Sequence, residues 1–156
     1  MKKTDILMTG VGGQGVILAS DALAEIAMKS GYDVKKSDSL GMSQRGGSVV
    51  SHLRLGRQVH SPMIRKGEAD ILLAFERLEG ARWADYLHQN SITIVNDLAI
   101  PPLSVVGGAS AYPSTAEVEE MFHRHTDYLF IIPGTQIAHE MGNPQVLNVL
   151  LVGFLS

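Results

Sequence analysis

Cysteine is absent from the 156 residues. Its absence excludes disulfides, thiolate zinc sites, cysteine nucleophiles and cysteine-ligated iron–sulfur clusters from this chain. If the protein takes part in electron transfer, the metal centres belong to some other chain. A strong excess of one charge is also lacking: 13 Lys and Arg stand against 16 Asp and Glu, a net charge of −3 with a pI near 6.0. That balance favours neither nucleic acid nor an anionic membrane surface. Long apolar runs are missing as well. No stretch approaches the roughly 20 residues that span a bilayer. The start, "MKKTDILMTG", runs from two lysines and a short apolar stretch into glycines rather than a cleavage site, so it does not read as a signal peptide. The expected location is the cytoplasm. What remains, 45% hydrophobic and 19% charged residues, is the balance of one globular domain with a proper core.

Strands and helices alternate along the chain. "TDILMT" (4–9) is a short apolar run before a glycine cluster, as in a buried parallel strand. Val16, Ile17, Leu18, Leu23, Ile26 and Ala27 approximate helical spacing up to Ser30–Gly31. "YDVKKSD" (32–38) reads as a second strand, and the three pieces together predict a βαβ crossover. "VVSHLRL" (49–55) predicts a period-2 strand with one wetter face, and "DILLAF" (70–75) and "SITIVND" (91–97) predict buried strands. An amphipathic helix is expected through "ERLEGARWADYLHQN", and a short edge strand at "ASAYP" (109–113). Ser114 or Thr115 caps a helix "AEVEEMFHRH", and "DYLFIIP" (127–133) favours a strand. Two last helices are split by Gly142–Asn143–Pro144. The expected fold is therefore α/β, a Rossmann-like three-layer domain with a mostly parallel sheet, occupying 1–156 as a single domain. The chain stops within the apolar run "VLNVLLVGFLS" without a stop signal, which suggests that a C-terminal tail is lacking.

Two loops could carry chemistry. In "GVGGQGV" (10–16), Gly10, Gly12 and Gly15 satisfy G-x-G-x-x-G between a strand and a helix. Gly10 would permit the tight turn, Gly12 the approach of a pyrophosphate, and Gly15 close helix–strand packing. The helix amino end would offer free N–H groups to an anion. Asp38 stands where the ribose-binding acid of a dinucleotide site would be. Lys35–Lys36, the extra glycine at 13 and Gln14 argue against that use, and tight packing alone also explains the glycines. The second loop, "GMSQRGG" (41–47), places Arg45 among Ser43, Gln44, Gly46 and Gly47. An arginine in that setting suits bidentate contact with a carboxylate or phosphate at the carboxyl ends of the strands, or is a solvated turn residue. Elsewhere, the six histidines show no metal spacing, with "HRH" (123–125) directing its imidazoles to opposed sides of a helix. No nucleophile elbow is visible. Glu76 and Glu79 read as a polar helix start before an acid/base pair, and Trp83 and Tyr86 as packing or partner residues. No catalytic residue is assigned.

Taken together, "GVGGQGV" (10–16), "GMSQRGGSVVSHLRLG" (41–56), "GEADILLAFERLEGAR" (67–82) and "GNPQVLNVLLVG" (142–153) resemble the gamma-type domain of 2-oxoacid:ferredoxin oxidoreductases, in order and across the whole chain. "MSQ" at 42–44 resembles the indolepyruvate type, whose small (beta) subunit this chain is most similar to. Members usually continue into a helical tail. The resemblance implies an accessory subunit of a complex that decarboxylates a 2-oxoacid on thiamine diphosphate, passes electrons to ferredoxin and transfers the acyl group to coenzyme A. Thiamine diphosphate and the iron–sulfur clusters then belong to a larger partner subunit, and none of these cofactors to this chain. The same resemblance makes Gly10, Gly12, Gly13, Gln14, Gly15, Ser43, Gln44, Arg45, Gly46 and Gly47 the candidate anion or partner contacts. The isolated chain is expected to be inactive and able to pair with itself. The rival readings are a stand-alone NAD(P)- or flavin-dependent oxidoreductase and a non-enzymatic nucleotide-binding module.

Overall fold

The computed structural model describes residues 3–41 and 46–155. Six strands form one sheet: β1 (Thr4–Val11), β2 (Asp33–Leu40), β3 (Ser48–Gly56), β4 (Ala69–Ala74), β5 (Leu87–Asn96) and β6 (Tyr128–Ile132). Their spatial order is β2-β3-β1-β4-β5-β6. β1, β4, β5 and β6 run parallel, whereas β3 is antiparallel to both β1 and β2. Five strands thus share one direction and β3 alone opposes them. The α/β sheet expected from the sequence is present. The simple βαβ pairing is not, because β3 separates β2 from β1.

Helices cover both faces. α1 (Val16–Lys29), α5 (Gly134–Glu140) and α6 (Leu147–Gly153) bury Val16, Ala19, Ala138 and Leu151 on one face, against Ile6, Met8, Leu53, Leu73 and Phe75 of the sheet region. α2 (Arg77–Ala81), α4 (Thr115–His123) and a single 3₁₀ turn at Ala84–Tyr86 cover the other, where Leu7, Val50, Leu72, Ala74 and Val95 meet Val118 and Phe122. Alternate residues of each central strand therefore enter different cores, which explains why "DILLAF" is apolar throughout. Each such leucine or phenylalanine contributes about 1.5–3 kcal/mol by leaving water.

Several local expectations change. The helix expected over 76–90 stops at Ala81, and Leu87–Asn90 extend β5 instead. Residues 109–113 form no strand; the preceding segment carries α3 (Leu103–Val106), a single turn. β3 has no wet face, since Ser51 and His52 are both buried. The start of α4 is as expected: Ser114 and Glu117 form a reciprocal capping box.

Candidate functional site

The glycine loop leaves β1 at the carboxyl end of the sheet. Gly10 still lies within β1, opposite Val49. A Cβ there would lie 2.8 Å from both Gln14 Oε1 and Val16 Cγ2, so its role is close packing and not the turn. Gln14, which departs from the dinucleotide fingerprint, holds the loop. Its Oε1 accepts from Val11 N–H (2.7 Å), and its Nε2 donates to Phe75 O (3.0 Å). One side chain thereby ties the end of β1 to the end of β4. Gly13 (φ 99°) and Gly15 (φ 81°) take left-handed backbone, and Gly15 caps α1. The first helical bond there is Ala19 N–H to Gly15 O (2.9 Å). The Val16, Ile17 and Leu18 amides are the orphan donors of the first turn, at the positive end of the helix dipole.

The second loop joins the first. Gly12 N–H donates to Gly47 O (2.8 Å), and Gly41 N–H to Ser48 O (2.7 Å). A cleft of about 320 Å³ runs between the glycine loop and the paired Leu40 and Val49. Ser43, Gln44 and Arg45 lie outside the described residues; Gly46 and Gly47 are described. The structure therefore brings Gly10, Gly12, Gly13, Gln14, Gly15, Gly46 and Gly47 to one end of the sheet.

Asp38 does not serve as a ribose-binding acid. The fingerprint needs it on the strand beside β1, yet β3 fills that place, and adjacent strands lie about 4.8 Å apart. Its Oδ2 also accepts from Lys36 Nζ (2.6 Å). The dinucleotide reading thereby loses its acid, and Gly12, where the pyrophosphate would approach, has its N–H committed to Gly47 O.

Other residues shape the same end without having stood out in the sequence. Asn96, fully buried, donates through Nδ2 to Phe75 O (3.0 Å) and Thr135 Oγ1 (2.8 Å), and accepts from Thr135 N–H (3.0 Å). It fastens β4 and β5 to the start of α5. Glu76 caps α2 by accepting from Glu79 N–H (2.8 Å), and its other oxygen accepts from Ile100 N–H (3.0 Å) and from the Tyr112 hydroxyl. Burial, together with the bond to Glu76, holds the Tyr112 phenol well above its usual range. Glu76 and Glu79 are thus a helix start, as the sequence suggested, and the committed oxygens of Glu76 leave it no proton-shuttle role. Trp83 and Tyr86 pack on His52, with ring centroids 5.8 and 5.9 Å from it and 4.9 Å from each other. His52 Nδ1 accepts from Ile64 N–H (3.3 Å), and burial keeps the imidazole below its usual pKa. Among the described residues no group of three or more His, Asp or Glu side chains is placed to hold a metal, and no helix is long and apolar enough to cross a membrane.

A family described as pyruvate ferredoxin/flavodoxin oxidoreductase matches residues 5–156. The chain belongs to this family. It is 38% identical to the indolepyruvate oxidoreductase subunit IorB of Pyrococcus horikoshii, covering 100% of this chain and 78% of that protein. Among solved structures, the gamma subunit of a keto/oxoacid ferredoxin oxidoreductase from Geobacter sulfurreducens superposes with a TM-score of 0.67 at 20% identity, over 98% of this chain and 74% of that one. A 2-oxoglutarate:ferredoxin oxidoreductase from Magnetococcus marinus, solved with 2-oxoglutarate, coenzyme A and succinyl-CoA bound, superposes with a TM-score of 0.66 at 18% identity. That match spans 95% of this chain but 23% of the longer one. At these identities the two likenesses show the fold alone.

Proposed function

We propose that this chain is the small subunit of a 2-oxoacid:ferredoxin oxidoreductase acting on indolepyruvate, in which a larger subunit carries thiamine diphosphate and the iron–sulfur clusters. The carrying observation is the 38% identity to an indolepyruvate oxidoreductase subunit over the whole chain. The complex oxidatively decarboxylates the 2-oxoacid, delivers its electrons to ferredoxin and releases an acyl-coenzyme A. Thiamine diphosphate supplies the carbanion-stabilising chemistry in the partner; the absence of cysteine here fits clusters held by that partner.

This chain's part is to present the joined loops to the partner's active site. Arg45 forms the anion contact, with Ser43, Gln44, Gly46 and Gly47 shaping its loop, and Gly10, Gly12, Gly13, Gln14 and Gly15 supporting it from β1. The Gly12–Gly47 bond supports this reading, because it couples the two loops into one surface. The anion is the substrate carboxylate or a phosphate of coenzyme A. Removing a charge-assisted contact of about 1.5–3 kcal/mol raises an apparent KM roughly tenfold or more. In the reconstituted complex, Arg45→Ala therefore raises the apparent KM for indolepyruvate or for coenzyme A; unchanged values for both refute the assignment.

The uncovered apolar strip formed by Ile92 of β5, Phe130 of β6 and the adjoining Phe154 after α6, which are 43%, 51% and 49% exposed, supports burial against another chain. The isolated chain pairs with itself through it. The complex works in the cytoplasm. Affinity isolation from native cells, followed by thiamine diphosphate and iron assays on the co-purifying large chain, tests the assembly.

A further inference from the structure

The two edges of the sheet are built differently. β2 carries Asp33, Lys35, Lys36 and Asp38, the kind of charged guard that keeps an exposed edge from pairing with another chain. β6, at the opposite edge, reads Tyr-Leu-Phe-Ile-Ile, without charge or proline, and its register with β5 is regular. The direction of its backbone groups follows from one bond at its end. Asp97 N–H donates to Ile132 O (2.7 Å), so Tyr128, Phe130 and Ile132 turn their N–H and C=O groups toward β5. Leu129 and Ile131 therefore turn theirs outward, where the sheet has no further strand among the described residues. On the face shared with α6, the half-exposed Phe130 walls a groove of about 400 Å³ with Ile92, Ile94, Ile132 and Phe154.

We propose that β6 pairs antiparallel with β6 of a second copy, about a two-fold axis through Phe130, so that the two sheets become one. The proposal rests on the self-pairing read above and gives it a geometry. Leu129 of each copy faces Ile131 of the other and exchanges both N–H···O bonds with it, which satisfies the outward groups of both residues. Phe130 faces its own counterpart at a non-hydrogen-bonded position, with Cα atoms about 4.5 Å apart, and Tyr128 faces Ile132. Every cross-strand pair is then apolar or aromatic, and no like charges meet. A second copy is the occupant because the outward groups stand symmetrically about Phe130, as an isologous contact requires, and the neutral strand does not repel itself. The same axis keeps both grooves on one face, where the Phe130 of each copy closes the open side of the other's groove.

The 156-residue chain holds no cysteine, so one introduced thiol reports one contact. Under mild oxidation, Phe130→Cys is expected to form an inter-chain disulfide, because a separation of about 4.5 Å is one that a disulfide spans. Ile92→Cys, one strand inward on the same face, is expected to form none. Sedimentation of the native chain should show a concentration-dependent dimer. Phe130→Lys and Phe130→Glu should each weaken it at least about tenfold, and an equimolar mixture should restore it, since residue 130 faces itself. Hydrogen exchange should slow with concentration at the Leu129 and Ile131 amides and stay slow throughout at Phe130. A native chain that stays monomeric removes self-pairing altogether. A dimer that Phe130→Lys leaves intact, folded charge variants that do not recover on mixing, or a disulfide at residue 92 and not at 130 overturns the edge geometry while self-pairing stands.

Discussion

Alanine at Gly13 and alanine at Gly15 impose the same left-handed backbone on a residue with a side chain, but only one of them meets an obstacle. Both glycines have positive φ, 99° and 81°. The left-handed conformation costs a non-glycine residue about 1–2 kcal/mol. Loss of unfolded-state freedom offsets about 0.4–1 kcal/mol of this. Gly13→Ala is therefore expected to destabilise the chain by about 1 kcal/mol, since a Cβ there has nothing within 4 Å. At Gly15 the Cβ would meet Asn148 Nδ2 at 3.0 Å, Cβ at 3.4 Å and Cγ at 3.5 Å. Asn148 is buried and held by its own backbone bond, so it cannot simply swing away. Overpacking of that kind adds about 1–3 kcal/mol, giving about 3 kcal/mol for Gly15→Ala. For a chain of this size about 1 kcal/mol moves Tm by about 2–4 °C. The expected falls are therefore about 3 °C at Gly13 and about 9 °C at Gly15. Thermal unfolding followed by circular dichroism measures both falls. A double-mutant cycle with Asn148→Ala isolates the contact: truncation removes Nδ2 and Cγ, so the double mutant is more stable than additivity predicts by about 1–2 kcal/mol. Equal losses at Gly13 and Gly15, with an additive cycle, refute the packing of Asn148 on the helix end.

Glu76→Gln leaves one acceptor oxygen where two now serve the Glu79 and Ile100 amides and the Tyr112 hydroxyl. A loss of about 2–4 kcal/mol is expected, with hydrogen exchange accelerated first at Ile100; a loss below about 0.5 kcal/mol contradicts the buried-anchor reading. Because the folded Tyr112 phenol lies above its unfolded value, its contribution is complete below about pH 10 and declines as pH rises past that point. Ultraviolet titration should therefore leave one tyrosine un-ionised until the chain unfolds, and Tyr112→Phe should abolish that late step. His52 has the opposite sign for a base: its folded pKa is depressed, so its contribution is present above about pH 6.5 and is lost as pH falls below it. Urea midpoints compared at pH 7.5 and 5.5 should drop for the native chain and drop less for His52→Gln.

The parts of this molecule legible in the sequence are those decided locally. The existence of the strands, the cap of α4 at Ser114 and the loop glycines depend on a residue's own backbone or on near neighbours in sequence. The position of β3 is of another kind. Its alternation marks a strand but names no partner, and the βαβ expectation paired β2 with β1. The loop length carried the missing information: seven residues separate Leu40 from Ser48, too few for a parallel crossover of a dozen or more. β3 must therefore return antiparallel beside β2, and its buried Ser51 and His52 leave it an interior place, between β2 and β1. Once β3 is interior, Asp38 is moved one strand away from the glycine loop and Gly47 is brought against Gly12. The dinucleotide fingerprint fails and the two loops become one surface for the same reason. Asn96, Thr135 and Asn148 had no local signal, because each acts across 39 or more positions or across two helices. Their one shared trace is a polar side chain within or just after an apolar run, in "TIVN", "IIPGT" and "VLNVLL". A polar residue interrupting such a run is buried by its neighbours and must find a partner. For Asn96 those partners are Phe75 O and Thr135, and for Asn148 the partner is the Val149 amide, so each polar side chain acts as a structural clamp.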